Sequence, residues 1–355
     1  IVPYYSVIGG WVIKYLVEYF RGNAKLLAED GYFTDFISNG VSTELCFVAF
    51  CAFTLIIIFA GVQNGIERVS KIMMPILIVL SVIIAVYSVT RPGALAGVKY
   101  FLVPNVKNFS WMTVVSAMGQ MFYSLSIAMG ILITFGSYMK KDTAIEDSTR
   151  NVEVFDTGIA IMAGLMIIPA VFAFSGGDPD TLQAGPSLMF ITIPKVFQNM
   201  GFGTVIGIVF FLLVLFAAVT SSIALTESAV STFEDELGWG RKKATVLVGV
   251  IMLVLGSLSS LGYGPLAGIK IIGMQFLDLF DFLTNSVMMP IAALLTSLLV
   301  SRVVGIDKIE EEIIHGESAF RRKKVFVVMI KYLCPVFAII ILLSSVANAL
   351  GWIKM

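Results

Sequence analysis

Ala217, Thr220, Ser221, Ala224 and Ser228 recur at i, i+3, i+4, i+7 and i+11 inside one apolar run, a continuous face on a helix. Two hydroxyls, with a carbonyl left open beside small Ala side chains, are hard oxygen donors suited to a small dehydrated cation. Sodium fits them better than a transition metal. The same hydroxyls can instead bond back to carbonyls one turn earlier, and the sequence leaves both readings open. A second cluster, Phe122-Tyr123-Ser124-Leu125-Ser126-Ile127-Ala128-Met129-Gly130, sets small and hydroxyl residues at the centre of another apolar run. Such a stretch weakens a helix and frees carbonyls for a ligand; a small-residue packing face is the alternative.

Carboxylates inside apolar runs are costly and need a partner. Asp156 stands among Val152, Val154, Phe155 and Ile159, so a cation or hydrogen-bond donor is expected beside it. Asp278 and Asp281, three apart, share a helix face, either at a functional mouth or simply at a solvated helix end. Gly65 and Pro75 bracket ten residues: proline removes a backbone donor and glycine adds freedom, which eases unwinding or merely kinks the helix.

The elements that position these groups are membrane helices. Hydrophobic residues make up 58% and charged residues 14% of the 355, too apolar for a soluble domain. Spans are predicted at about 1–20, 42–60, 65–89, 110–138, 152–174, 204–234, 243–261, 275–301 and 328–351, with an extracellular loop subdomain at 176–203, all in one transmembrane domain. Arg68, Lys71, Lys140, Lys141, Arg241, Lys242, Lys243, Arg321 and Arg322 concentrate in loops on one side, which is read as cytoplasmic. The zero net charge argues against nucleic acid. Cys46, Cys51 and Cys334 have no metal-ligand or pairing spacing, and the lone His315 lies among charges. No nucleophile–base constellation marks an enzyme. The chain opens at Ile1-Val2-Pro3 inside an apolar stretch, so upstream helices are expected.

Seven motifs in order resemble the neurotransmitter:sodium symporter family in its bacterial branch. They are Tyr4-Tyr5 with Trp11; Gly65-Ile66-Glu67 through Met73-Met74-Pro75; Gly119-Gln120 through Ser124-Leu125-Ser126; and Gly185-Pro186-Ser187 through Ile193-Pro194. The rest are Phe216-Ala217-Ala218-Val219-Thr220-Ser221-Ser222, Phe233-Glu234-Asp235-Glu236-Leu237 and Leu277-Asp278-Leu279-Phe280-Asp281-Phe282. The resemblance implies an all-α polytopic protein of the LeuT-type inverted-repeat fold, with nine helices matching family helices three to eleven and the first two lacking.

The resemblance also implies roles. Tyr5, Tyr123, Ser126, Met129 and Leu225 would contact the substrate. Ser124 would serve a first sodium, and the Ala217 carbonyl with Thr220 and Ser221 a second, each site incomplete in this chain. Asp281 and Asp235 match outer and inner gate acids, and Gly65 with Pro75 the pair that lets a helix unwind. Ala128 stands where the family often has the helix-breaking Gly. Asp156 falls at or near a neutral position of chloride-dependent relatives, where a fixed carboxylate would replace chloride. The function implied is sodium-coupled symport of a small, hydrophobic or aromatic amino acid across a cell's inner (plasma) membrane, with a homodimer left open. A membrane amino-acid sensor and an inactive truncated fragment are the alternatives.

Overall fold

A computed structural model describes residues 1–178, 185–317 and 319–352. Residues 179–184 of the loop predicted at 176–203, Pro179 and Asp180 among them, lie outside the described residues. The ten helices that matter for the site are α1 (Val2–Phe20), α2 (Gly40–Phe59), α3 (Val62–Val89), α4 (Trp111–Ser124) and α5 (Ile131–Ser137). They continue with α6 (Ile145–Ser175), α7 (Gly203–Leu237), α8 (Arg241–Leu261), α9 (Phe276–Val304) and α10 (Lys323–Ala349). Seven of them (α2, α3 and α6 to α10) are long and apolar enough to cross a membrane. The all-helical fold read from the sequence is the one observed.

Local chemistry sets the helix ends. Asn39 caps α2, its side chain accepting from the Ser42 amide at 3.0 Å. Ser110 and Thr113 exchange side-chain and backbone hydrogen bonds in a capping box at the start of α4. Gly238 ends α7 with φ +61°, a left-handed conformation that glycine adopts without a Cβ clash.

The chain divides into two compact units: Ile1–Asn105 with Ile159–Leu277, and Val106–Gly158 with the chain from Asp278 onward. In the first, α1 packs against α2, α7 and α8. The approach to α2 is close enough that a Cβ on Gly10 would lie 2.7 Å from the Phe47 backbone nitrogen, so only glycine fits. Aromatic rings pack around α1. Tyr15 stacks on Phe211 at 5.2 Å and donates its hydroxyl to the Phe190 carbonyl at 2.7 Å, while Trp11 meets Phe33, Phe190 and Tyr263 edge-on. Buried polar links cross between helices: Thr54 to Ser222 at 3.1 Å, and Ser88 to the Met166 carbonyl at 2.7 Å.

In the second unit α10 packs against α9 and α4. The segment after the Ile306–Gly316 helix clasps the start of α6. Glu317 accepts from the Glu146 amide at 2.6 Å, Glu146 accepts from the Arg321 amide at 2.9 Å, and Arg322 pairs with Glu153 at 3.0 Å. Carboxylates here satisfy and neutralise the positive end of a helix.

Candidate functional site

In the second unit, the helix predicted across 110–138 is broken. α4 stops at Ser124 and α5 begins at Ile131, leaving six residues between them out of helical register. Ser126, Ala128 and Gly130 take φ values of +55°, +62° and +79°. The left-handed conformation costs an L-residue roughly 1–2 kcal/mol, so Ala128 does here, at some strain, what a glycine would do freely. The alternative reading of this stretch as an unbroken packing face is therefore set aside. Tyr123, Ser126 and Met129 are partly buried around the break. Ser124 donates its hydroxyl to Asp156 Oδ1 at 2.7 Å, which supplies the donor expected beside that carboxylate. A formal negative charge thus sits one hydrogen bond from the residue that the family motif assigns to a sodium.

In the first unit, Thr220 donates to the carbonyls of Phe216 and Ala217, both at 3.0 Å. Back-bonding, one of the two readings open in the sequence, is thus what the structure contains. It does not exclude the other, because a hydroxyl that spends its proton keeps lone pairs for a cation. Ser221, the next residue, lies beside the Tyr5 side chain of α1, so a substrate residue and an ion residue of the family motif come together. Leu225 is buried one turn further along α7.

Gly65 lies in a π-helical turn, Val62–Glu67, at the start of α3, with Pro75 inside the helix that follows. A Cβ on Gly65 would stand 2.2 Å from the Ile57 carbonyl oxygen, so close packing as well as backbone freedom calls for glycine. Asp235 is exposed at the C-terminal end of α7. Asp281 accepts a hydrogen bond from Asn285 one turn on. Tyr5, Leu225, Ala217, Thr220, Ser221, Asp235, Gly65 and Pro75 belong to the first unit; Tyr123, Ser124, Ser126, Met129, Asp156 and Asp281 belong to the second. Outside the long helices, a hydrogen bond from the Lys195 ammonium holds the Asp30 carboxyl below its ordinary range.

The most completely buried ion pair among the described residues escaped the sequence reading. Glu227 on α7 has no exposed surface and takes both ends of the Arg241 guanidinium, at 2.9 and 2.5 Å. Arg241 also donates to the Ile58 carbonyl at 3.1 Å and lies 3.5 Å from Glu234. The rule that singled out Asp156, a carboxylate in an apolar run, applies equally to Glu227 and could have found it.

Residues 16–352 match the description "Sodium:neurotransmitter symporter family". The uncharacterized sodium-dependent transporter YhdH of Bacillus subtilis is 33% identical over 98% of this chain and 77% of its own length. An uncharacterized sodium-dependent transporter of Haemophilus influenzae is 30% identical over 97% and 76%. The crystal structure of MhsT in complex with L-phenylalanine superposes with a TM-score of 0.83 at 33% identity, covering 97% of this chain and 78% of that one. With its broken helix, its hydroxyl-lined α7 and its seven membrane-length helices, the chain is a multi-pass membrane protein of the LeuT-type fold, a sodium-dependent transporter rather than an enzyme. It belongs to the sodium:neurotransmitter symporter family.

Proposed function

We propose that the protein carries out sodium-coupled symport of a hydrophobic or aromatic amino acid by alternating access. The observation that carries this reading is the helix break at 125–130, with Tyr123 just before it and Met129 within it, in a chain with 33% identity to a protein whose structure holds L-phenylalanine. A zwitterion in a dry pocket needs its carboxylate neutralised and its ammonium met by carbonyls, and a broken helix offers carbonyls at the right place. The side chain would rest on Tyr123, Ser126, Met129 and Leu225, a largely apolar set with an adaptable Met. Tyr5 would meet the carboxylate.

Two sodium ions complete the reading. One sits near Ser124 and contacts the substrate carboxylate, so ion and substrate raise each other's affinity by the same factor. The other is held by the Ala217 carbonyl, Thr220 and Ser221. Asp156 supplies the negative charge that chloride provides in other members. Asp281 and Asp235 act at the outer and inner gates, and unwinding between Gly65 and Pro75 releases the second ion inward. A cell's inner (plasma) membrane is the setting, with the Arg- and Lys-rich loops in the cytoplasm.

Uptake into proteoliposomes by the complete protein tests this. Radiolabelled phenylalanine, leucine and tryptophan are expected to accumulate only under an inward sodium gradient, with lysine and glucose left out. Equal uptake of glucose or lysine would overturn the substrate assignment. Binding of an amino acid without accumulation or counterflow would favour the sensor.

A further inference from the structure

Between Thr220 and Thr226, α7 sends its hydroxyls in different directions. Thr220 donates to carbonyls of its own helix. Thr226 donates to the Ser222 carbonyl at 2.7 Å and lies 4.0 Å from the Met252 sulfur of α8. Ser221 lies beside Tyr5 of α1. Ser222 behaves differently. Its hydroxyl leaves the helix and meets the Thr54 hydroxyl of α2 at 3.1 Å, and neither side chain has any exposed surface. Neither hydroxyl has a second hydrogen-bond partner among the described residues. Bonding back one turn, the common outlet for hydroxyls inside a helix, gives way here to a bond between helices.

Successive side chains on a helix point about 100° apart, so fixing Ser222 against α2 also fixes where Ser221 and Thr220 point. The buried apolar neighbours Ala218, Val219 and Ile223 hold α7 by contact, which is non-directional and resists rotation weakly. A hydrogen bond weakens steeply once it is bent, and two buried hydroxyls pulled apart lose a partner that water does not replace. With its side chains α7 is roughly 5–6 Å in radius, so a turn of about 20° carries a side-chain oxygen about 2 Å. That is enough to take it out of contact with an ion. We propose that Thr54 is a positioning residue for the second sodium: through Ser222 it sets the rotation of α7, and so aims the Ala217 carbonyl, Thr220 and Ser221 at the ion. The proposal rests on the assignment of that ion to those three residues, and it holds whichever solute the protein carries.

Thermal unfolding of the complete, detergent-solubilised protein without substrate tests it, with sodium titrated against choline. The midpoint in sodium-free buffer reads packing, and the sodium concentration giving half of the rise reads the ion. Thr54→Val keeps the volume and deletes the hydroxyl; half-saturation is expected to rise about fivefold, the scale of one neutral hydrogen bond. Thr54→Ser keeps the hydroxyl and deletes a methyl group; it should lower the sodium-free midpoint while half-saturation stays native. A purely structural residue would move the midpoint and leave half-saturation alone in both. Ser222→Ala should match Thr54→Val, and the two together should do no more than either alone. Unchanged half-saturation in Thr54→Val would overturn the proposal. So would an equal shift in Thr54→Ser, or a double variant whose shift is the product of the single ones. Thr220→Val is the control for the ion. If it shifts half-saturation and Thr54→Val does not, only the positioning role falls; if Thr220→Val changes nothing, the ion assignment falls and the role with it. If Thr54→Val fails to fold, Ser222→Ala and Thr54→Ser still decide.

Discussion

Asp156 and Ser124, 2.7 Å apart, tie a fixed negative charge to the broken helix. Asp156→Asn removes the charge and keeps the shape. Sodium-driven uptake by that variant is expected to require chloride; uptake that is unchanged when chloride is replaced by gluconate would count against the role. Thr220 spends its proton on two carbonyls, leaving lone pairs for an ion. Thr220→Val deletes those lone pairs at nearly constant volume, and sodium titration of substrate binding should show half-saturation rising by about tenfold, the factor that 1.4 kcal/mol represents. Glu227 and Arg241 form a buried bidentate pair. Glu227→Ala takes the bidentate partner from the guanidinium, which keeps the Ile58 carbonyl and Glu234, and is expected to cost about 3 kcal/mol, read as a drop in thermal midpoint. Replacing both partners by Leu and Met should recover much of it, because the buried carboxylate and the guanidinium leave together and Glu234, with 26% of its side chain exposed, turns to water. A single substitution as mild as the double one would refute that account.

Two helices show what sequence alone discloses about elements and what it hides. The break between α4 and α5 was legible from the run of small and hydroxyl residues at 122–130, yet the residues that take the left-handed turn were not. Ala128, whose side chain disfavours that conformation, adopts φ +62°. Which residue bears the strain is decided by what surrounds it in space, and one chain read in order does not contain that. Ala128→Gly is accordingly expected to raise stability by up to about 1 kcal/mol, seen as a higher thermal midpoint. A lower one would mean that the methyl group packs usefully. The hydroxyl face of α7 was equally legible, since helical spacing alone places Ala217, Thr220 and Ser221 together. Its neighbours were not. Tyr5 reaches Ser221 from α1, and Glu227 finds Arg241 only because the chain reverses at Gly238. Pairings across turns or between distant helices, such as Tyr15 with the Phe190 carbonyl, leave no periodic trace.

For the whole molecule, the basic loops predict an orientation that can be measured. With a cysteine at Lys99 the intact cell's surface should react with an impermeant thiol reagent; with one at Lys242 it should not, until the membrane is opened. The reverse pattern would invert the topology and exchange the gates. α7 then becomes informative through its length alone. Its 35 residues extend about 52 Å at 1.5 Å each, well beyond a hydrocarbon core of roughly 30 Å. Thr220 and Ser221 lie near its middle and Asp235 close to its C-terminal end, all on one unbroken rod. Such a rod is a lever. Its hydrogen bonds resist bending, so a slight tilt set by whatever occupies the hydroxyl face is delivered, enlarged by the arm's length, to the carboxylate near its C-terminal end.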